Sequence, residues 1–123
     1  MVESSSANFS EKELRCKCEH CQLQKPNKCQ QKAVDALQAI RSEYGKPLTI
    51  TSAYRCERHP VEAKKQKPGT HNQGVAFDIA IPWGHERGVL TDLAIKHGFK
   101  GLGFANSFLH IDMRKDFMTW TYK

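Results

Sequence analysis

Apolar residues recur at intervals of three and four between Gln31 and Tyr44, and this spacing predicts an amphipathic helix. Gly45 and Pro47 follow directly and favour the end of the helix there. Residues 75–81 instead alternate strictly, so neighbouring side chains of this predicted strand project to opposite faces. The apolar positions are Ala33, Leu37, Ile40 and Tyr44 in the helix and Val75, Phe77, Ile79 and Ile81 in the strand.

The same patterns predict further helices and strands on both sides of that strand. They are a strand at residues 48–53, a helix at residues 87–97, and a hairpin of strands 102–104 and 108–114 around Asn106 and Ser107. Helices and strands mix without a regular βαβ alternation. We therefore expect an α+β fold, a central and mainly antiparallel sheet with flanking helices, in one domain over residues 1–123 that includes a cysteine-rich segment at about 14–30.

The size and composition of the chain agree with one globular domain. It has 123 residues, a mass of 14.0 kDa and a mean hydropathy of −0.62. No apolar run approaches the roughly 20 residues that cross a bilayer, so we expect no membrane partner. The first ten residues show no basic start followed by an apolar core, so we expect no signal peptide.

The net charge of +6 indicates attraction to polyanions. The basic residues are scattered, apart from Lys64, Lys65 and Lys67, and aromatic residues do not interleave with that cluster as a nucleic-acid stacking surface requires. We therefore expect no specific nucleic-acid partner. An acidic cell-wall polymer remains compatible with the charge.

Polar residues stand at three unusual places. Asp78 lies between Ala76 and Ala80 on one face of an apolar strand, where a carboxylate must be exposed, paired or bound to a metal. His110 and Asp112 share one face of the last strand, and His71 precedes the Asp78 strand. Two imidazoles and one carboxylate suit a catalytic zinc ion. The alternative is a surface histidine together with an aspartate that pairs with Arg55 or Arg114.

Four motifs, in this order, carry a resemblance to a known family. They are Ser52-Ala-Tyr-Arg55, the segment from Gly69 to Ile79 with His71 and Asp78, Gly101-Leu-Gly103-Phe, and Phe108-Leu-His110-Ile-Asp112-Met-Arg114. Together they resemble the zinc D-Ala-D-Ala carboxypeptidases, peptidoglycan hydrolases of the hedgehog/DD-peptidase fold, and most closely their short single-domain phage and bacterial branch. The resemblance covers nearly the whole chain.

The resemblance implies the roles of individual residues. His71, Asp78 and His110 would bind Zn2+. The segment with Ser52, Tyr54 and Arg55 would bind the substrate, with Arg55 near its carboxylate or scissile carbonyl; an ordinary salt bridge of Arg55 with Asp78 or Asp112 is the alternative.

Several relatives carry an acidic base three residues before the last zinc histidine, where this chain has Ser107. Asp112 is therefore our candidate general base, two residues after His110 and on the same strand face. The other role we consider for Asp112 is to hold a ligand imidazole or to pair with Arg114.

The cysteines allow three interpretations. Cys16, Cys18, Cys21 and Cys29 have the density of a second, structural zinc site. A disulfide that involves Cys56 is the second interpretation, and reduced thiols are the third.

Together these features predict a monomeric zinc peptidase that hydrolyses amide bonds in the peptide stems or cross-links of bacterial peptidoglycan. The localisation is not fixed; a phage-encoded protein acting at the cell wall would fit. A non-catalytic, zinc-containing wall-binding module of the same fold is the first alternative. A nucleic-acid binder built on the cysteine cluster is the second.

Overall fold

A five-stranded sheet and two helices form the framework of a computed structural model, which describes residues 5–17, 21, 27–56 and 69–122. Within these residues, no helix is both long enough and apolar enough to cross a membrane. In chain order, the elements are a 3-10 turn Lys12–Leu14, α1 Gln31–Tyr44, β1 Ile50–Ser52, β2 Ala76–Ala80, α2 His85–Lys96, β3 Gly101–Phe104, β4 Phe108–Asp112 and β5 Met118–Thr121.

Helix α1 has the bounds that its apolar spacing predicts. Its apolar stripe is buried, with Ala33, Leu37 and Ile40 each 0% exposed. The helix ends at Gly45, whose φ of 76° is left-handed and favours glycine, and whose N–H donates to the carbonyl of Arg41 at 3.0 Å. The pattern of the sequence therefore predicts this element completely.

The strands lie in the order β1-β2-β4-β3-β5. All neighbours are antiparallel except β3 and β5, which run parallel, so the predicted α+β fold with a mainly antiparallel sheet is confirmed. The predicted hairpin is formed by β3 and β4. Strand β5 is an addition that the hydrophobic pattern does not indicate.

Strand β1 is shorter than the predicted strand at residues 48–53. Its pairing with β2 is irregular between Ile50 and Ser52. Beyond the strand, the N–H of Tyr54 donates to the carbonyl of Leu14 at 3.2 Å rather than to β2. The chain therefore leaves the sheet early, which carries the next residues toward the polar face of β2.

One face of β2 and β4 joins the hydrophobic core and the other carries the polar residues. Phe77 and Ile79 of β2 pack in the same buried cluster as Leu109 and Ile111 of β4, together with residues of both helices. Phe77 also meets Phe99 edge to face, with ring centroids 6.2 Å apart. Residues at alternate positions on these strands therefore face the opposite side of the sheet.

Candidate metal centre

Strand pairing brings two of the predicted ligands directly opposite each other. Asp78 of β2 pairs with His110 of β4, and both lie on the face away from the core. His71 lies in the turn before β2, which is closed by hydrogen bonds from Gly74 N–H to the His71 carbonyl and from Val75 N–H to the Thr70 carbonyl. The fold thus brings together three residues that are up to 39 positions apart in the sequence.

The three side chains converge on one small, buried space. Nδ1 of His110 lies 2.9 Å, and Nε2 of His71 3.2 Å, from the same carboxylate oxygen of Asp78, Oδ1. One potential ligand atom from each residue lies within 4.8 Å of the other two. His71, Asp78 and His110 are 3%, 5% and 4% exposed. This convergence is what a shared ion requires.

The outer nitrogen of each imidazole is held by an acceptor. His71 Nδ1 lies 2.6 Å from the Ala53 carbonyl, which can only accept, so Nδ1 carries the proton. His110 Nε2 lies 2.7 Å from Oδ2 of Asp112 and donates to that carboxylate. In the neutral rings, both lone pairs then face Asp78, and such an arrangement needs a cation or added protons at its centre.

The ionisation of these groups follows the same geometry. Burial raises the pKa of Asp78, but the hydrogen bonds that His110 and His71 donate when protonated outweigh it and bring the pKa well below its ordinary value. Burial lowers the pKa of His110, but its hydrogen bonds with Asp112 and Asp78 raise it above its ordinary value. With both rings neutral, an anionic Asp78 faces two imidazole lone pairs, and this set of ligand atoms fits a divalent metal.

Arg55 reaches the second oxygen of Asp78. Its Nη2 lies 3.2 Å from Oδ2, while Nε donates to the Ser52 hydroxyl at 3.0 Å. The backbone N–H of Arg55 donates to the carbonyl of His71 at 3.3 Å. The salt bridge considered as the alternative for Arg55 is thus present. It also fixes the guanidinium beside the three converging side chains.

The surroundings of Asp112 favour an orienting role over that of a general base. Asp112 is 0% exposed, and Arg114 donates through Nε to Oδ1 at 2.8 Å and through Nη2 to Oδ2 at 2.7 Å. Burial raises the pKa of Asp112, but its hydrogen bonds with Arg114 and His110 bring the pKa well below its ordinary value. Both oxygens are therefore already engaged in holding His110 and Arg114.

An open cleft of about 310 Å³ leads to Asp78 and Arg55. Ser52 and Tyr54, which the resemblance assigns to substrate binding, also line it. Two further lining residues, Lys17 and the Glu11-paired Arg15, are not marked by any motif in the sequence. The surrounding segment is mostly polar and its apolar residues show no regular period, so no hydrophobic pattern marks these two residues.

Strand β5 contributes a second feature that the sequence analysis missed. The indole of Trp120 lies with its ring centroid 5.3 Å from that of His110, and the Arg114 guanidinium lies 4.5 Å from the Trp120 centroid. Trp120 therefore packs against a ligand imidazole and against the arginine that holds Asp112. Only the parallel pairing of β5 with β3 reveals this contact.

The structure groups the cysteines differently from the set predicted by their density. The sulfur atoms of Cys16, Cys21 and Cys56 lie within 4.8 Å of one another, and among the described residues Cys29 is not part of that group. Cys18 lies outside the described residues. The Cys21 and Cys56 sulfurs are 3.6 Å apart, compared with about 2.05 Å in a disulfide.

Comparison with known proteins gives one family. The model of the Peptidase M15 family matches residues 7–112, a span that contains His71, Asp78 and His110. No curated protein matches the chain. Because the matched residues make up most of the chain and include the whole converging set, the chain belongs to the Peptidase M15 family, whose members are zinc-dependent peptidases.

Proposed function

We propose that this protein is a zinc peptidase of the D-Ala-D-Ala carboxypeptidase or endopeptidase type, which hydrolyses amide bonds in the stem peptides or cross-links of bacterial peptidoglycan. The observation that carries the proposal is the convergence of His71, Asp78 and His110. Their donor types are those of a catalytic zinc site, which takes three protein ligands and leaves a fourth position for water or substrate.

Hydrogen bonds within the chain orient the two imidazole rings of this site without a metal. His71 and His110 would bind through the nitrogens that face Asp78, because the Ala53 carbonyl and Asp112 hold their other nitrogens. Zinc in such a site supplies a Lewis acid that polarises a carbonyl and makes water acidic enough to ionise near neutral pH. Asp112 acts through His110, by fixing the orientation of its ring.

Charge in the cleft supports an anionic substrate. Arg55 and Asp78 both line the cleft, Lys17 adds a further cation, and Arg15 lines it while paired with Glu11. A guanidinium suits a peptide carboxylate or the oxyanion that develops as an amide is attacked. Stem peptides of peptidoglycan end in a carboxylate, so this distribution of charge fits them, and the net charge of +6 favours approach to an acidic wall.

The direct test is digestion of purified sacculi, with the released peptides identified by mass spectrometry. We expect the zinc-loaded protein to release stem-peptide fragments, and a chelator or His71→Ala to abolish release. His85→Ala is the matched control, because His85 is exposed at the start of α2 and outside the centre. Binding to sacculi with no release by the zinc-loaded protein would contradict the proposal and support the non-catalytic wall-binding module.

A further inference from the structure

Three buried cysteines form a second cluster, which includes Cys56, the residue after Arg55. Cys16, Cys21 and Cys56 are 2%, 4% and 9% exposed, and their sulfur atoms lie within 4.8 Å of one another. Four sulfurs around a tetrahedral zinc, each about 2.3 Å from the metal, lie about 3.8 Å apart. The 3.6 Å between the Cys21 and Cys56 sulfurs is close to that spacing.

We propose that Cys16, Cys21 and Cys56 together bind a second, structural metal ion of the thiolate-preferring class, such as zinc. The three sulfurs supply three of the four positions of a tetrahedral site. The proposal adds Cys56 to the cysteines that sequence density singles out, and it does not include Cys29.

Local hydrogen bonding supports thiolates in this cluster. The backbone N–H of Cys56 donates to the sulfur of Cys16 at 3.3 Å, which stabilises negative charge on that sulfur. Several thiolates crowded in a buried space repel one another unless a cation lies among them. Cys29 is not one of the three clustered residues, and burial raises the pKa of its thiol to about 12 despite a hydrogen bond with the backbone of Tyr54.

The position of the cluster gives it a role in the cleft. Cys16 lies between Arg15 and Lys17, and Cys56 follows Arg55, so two of the three sulfur ligands are adjacent in sequence to residues that line the cleft. An ion shared by Cys16 and Cys56 would hold these two segments together. The metal site stands on its own geometry, whereas its role in substrate binding rests on the proposed peptidase function.

A disulfide between Cys21 and Cys56 is the competing arrangement. It would require the two sulfurs to approach from 3.6 Å to about 2.05 Å. A disulfide joins only two sulfurs, so it would not involve Cys16, whose sulfur accepts a hydrogen bond from the Cys56 N–H. A metal uses all three sulfurs where they already lie.

Cobalt substitution in the full-length protein tests the proposal, with Co2+ alone as the probe. Thiolate ligands give Co2+ a charge-transfer absorption in the near ultraviolet, which a site of two histidines and an aspartate lacks. We expect two Co2+ ions per chain, one for each cluster, and we expect the absorption to come from the ion in the cysteine cluster alone. His71→Ala should lose one ion and keep the absorption, whereas Cys56→Ala should lose one ion together with the absorption.

Cys29→Ala is the matched control and should keep both ions and the absorption. If Cys56→Ala fails to fold, the wild-type spectrum and cobalt stoichiometry decide the question alone. A wild-type protein without thiolate-to-cobalt absorption overturns the proposal, as does a purified protein whose mass is two hydrogens lower because Cys21 and Cys56 are joined. If sacculi are not cleaved but the absorption is present, the proposed peptidase function fails and the second metal site stands.

Discussion

Asp112 illustrates how one residue acts through its neighbours. It accepts hydrogen bonds from His110 and from both nitrogen donors of the Arg114 fork, in a position closed to solvent. A general base must reach a water or substrate proton, whereas an orienting residue must hold its ligand. The contacts of Asp112 are those expected of an orienting residue.

Substitution of Asp112 separates these two roles. We expect Asp112→Asn to weaken zinc binding by about 10- to 100-fold, because the His110 ring loses its carboxylate partner. Activity should then recover at high zinc concentration. Asp116→Asn, at an exposed position, is the control. Full zinc affinity with lost activity would instead identify Asp112 as the general base; zinc titration with a fluorescent chelator competitor measures the difference.

The two hydrogen bonds of the Arg55 side chain depend on the planar shape of its guanidinium. It bonds the Ser52 hydroxyl through Nε and the Asp78 carboxylate through Nη2, which one ammonium group cannot reproduce with the same geometry. We expect Arg55→Lys to lower kcat/KM on stem peptides by about 10- to 100-fold, the loss of one charged hydrogen bond. Arg41→Lys on α1 should leave kcat/KM unchanged. Equal kinetics for both variants would show that Arg55 does not contact the substrate.

At the scale of elements, the glycines of β3 make room for the centre. Gly101 pairs with Asp112 and Gly103 with His110. A Cβ at Gly101 would overlap the Asp112 carboxylate and Arg114 Nε, and one at Gly103 would lie 2.6 Å from Nε1 of Trp120. Strand β3 can therefore carry no side chains at these positions while Asp112 and Trp120 keep their places.

Gly101→Ala tests this close packing. We expect it to destabilise the protein by about 1–3 kcal/mol, the usual cost of overpacking, and to weaken zinc binding because Asp112 must move. Gly88→Ala is the matched control: nothing lies within 4 Å of a Cβ there, at the fourth residue of α2, so it should stabilise the protein by about 0.5–1 kcal/mol. Urea denaturation measures both. Equal stability of the two variants would contradict the packing argument.

The carboxylate of Glu11 connects Arg15 and Asn27, which lie near the two ends of the cysteine-rich segment. It accepts hydrogen bonds from Arg15 Nε at 2.9 Å and from the backbone N–H of Asn27 at 2.8 Å. The hydrogen bond from Arg15 is the main reason that the pKa of Glu11 lies below its ordinary value of 4.5, and Asn27 lowers it further. The stability that this carboxylate adds is therefore present above pH 4.5 and is lost as the pH falls through the lowered pKa.

Glu11→Gln should remove this pH dependence. We expect the variant to be less stable than the wild type near neutral pH, and the difference to shrink as the pH falls below 4.5. Thermal unfolding of both proteins across that range measures it. A difference that stays constant with pH would show that the charge of Glu11 does not stabilise the fold.

The sequence predicts local elements better than it predicts contacts between them. Helix α1 and the alternation in β2 follow from one segment each. Strand β5 is missed because its four residues, Met118–Thr121, are mostly exposed and pair parallel with β3. The grouping of Cys56 with Cys16 depends on folding across 40 residues, which spacing alone does not encode.

At the scale of the whole molecule, two clusters of side chains of the types that ligate metals lie next to one cleft. Asp78 of the first cluster lines the cleft, and Cys16 and Cys56 of the second are adjacent in sequence to residues that line it. The ligand types of the first cluster follow from the sequence, because the resemblance fixes them residue by residue. The cleft cannot be predicted from the sequence, because Lys17 and Arg55 come to line the same space only in the folded chain, on either side of β1 in the sequence.

Zinc titration into metal-free protein, with release of stem peptides from sacculi as the readout, tests the central claim most directly. The account predicts that activity returns with zinc in the wild type and in His85→Ala, and does not return in His71→Ala. Peptide release by the metal-free wild type, or full recovery of His71→Ala with zinc, would contradict it.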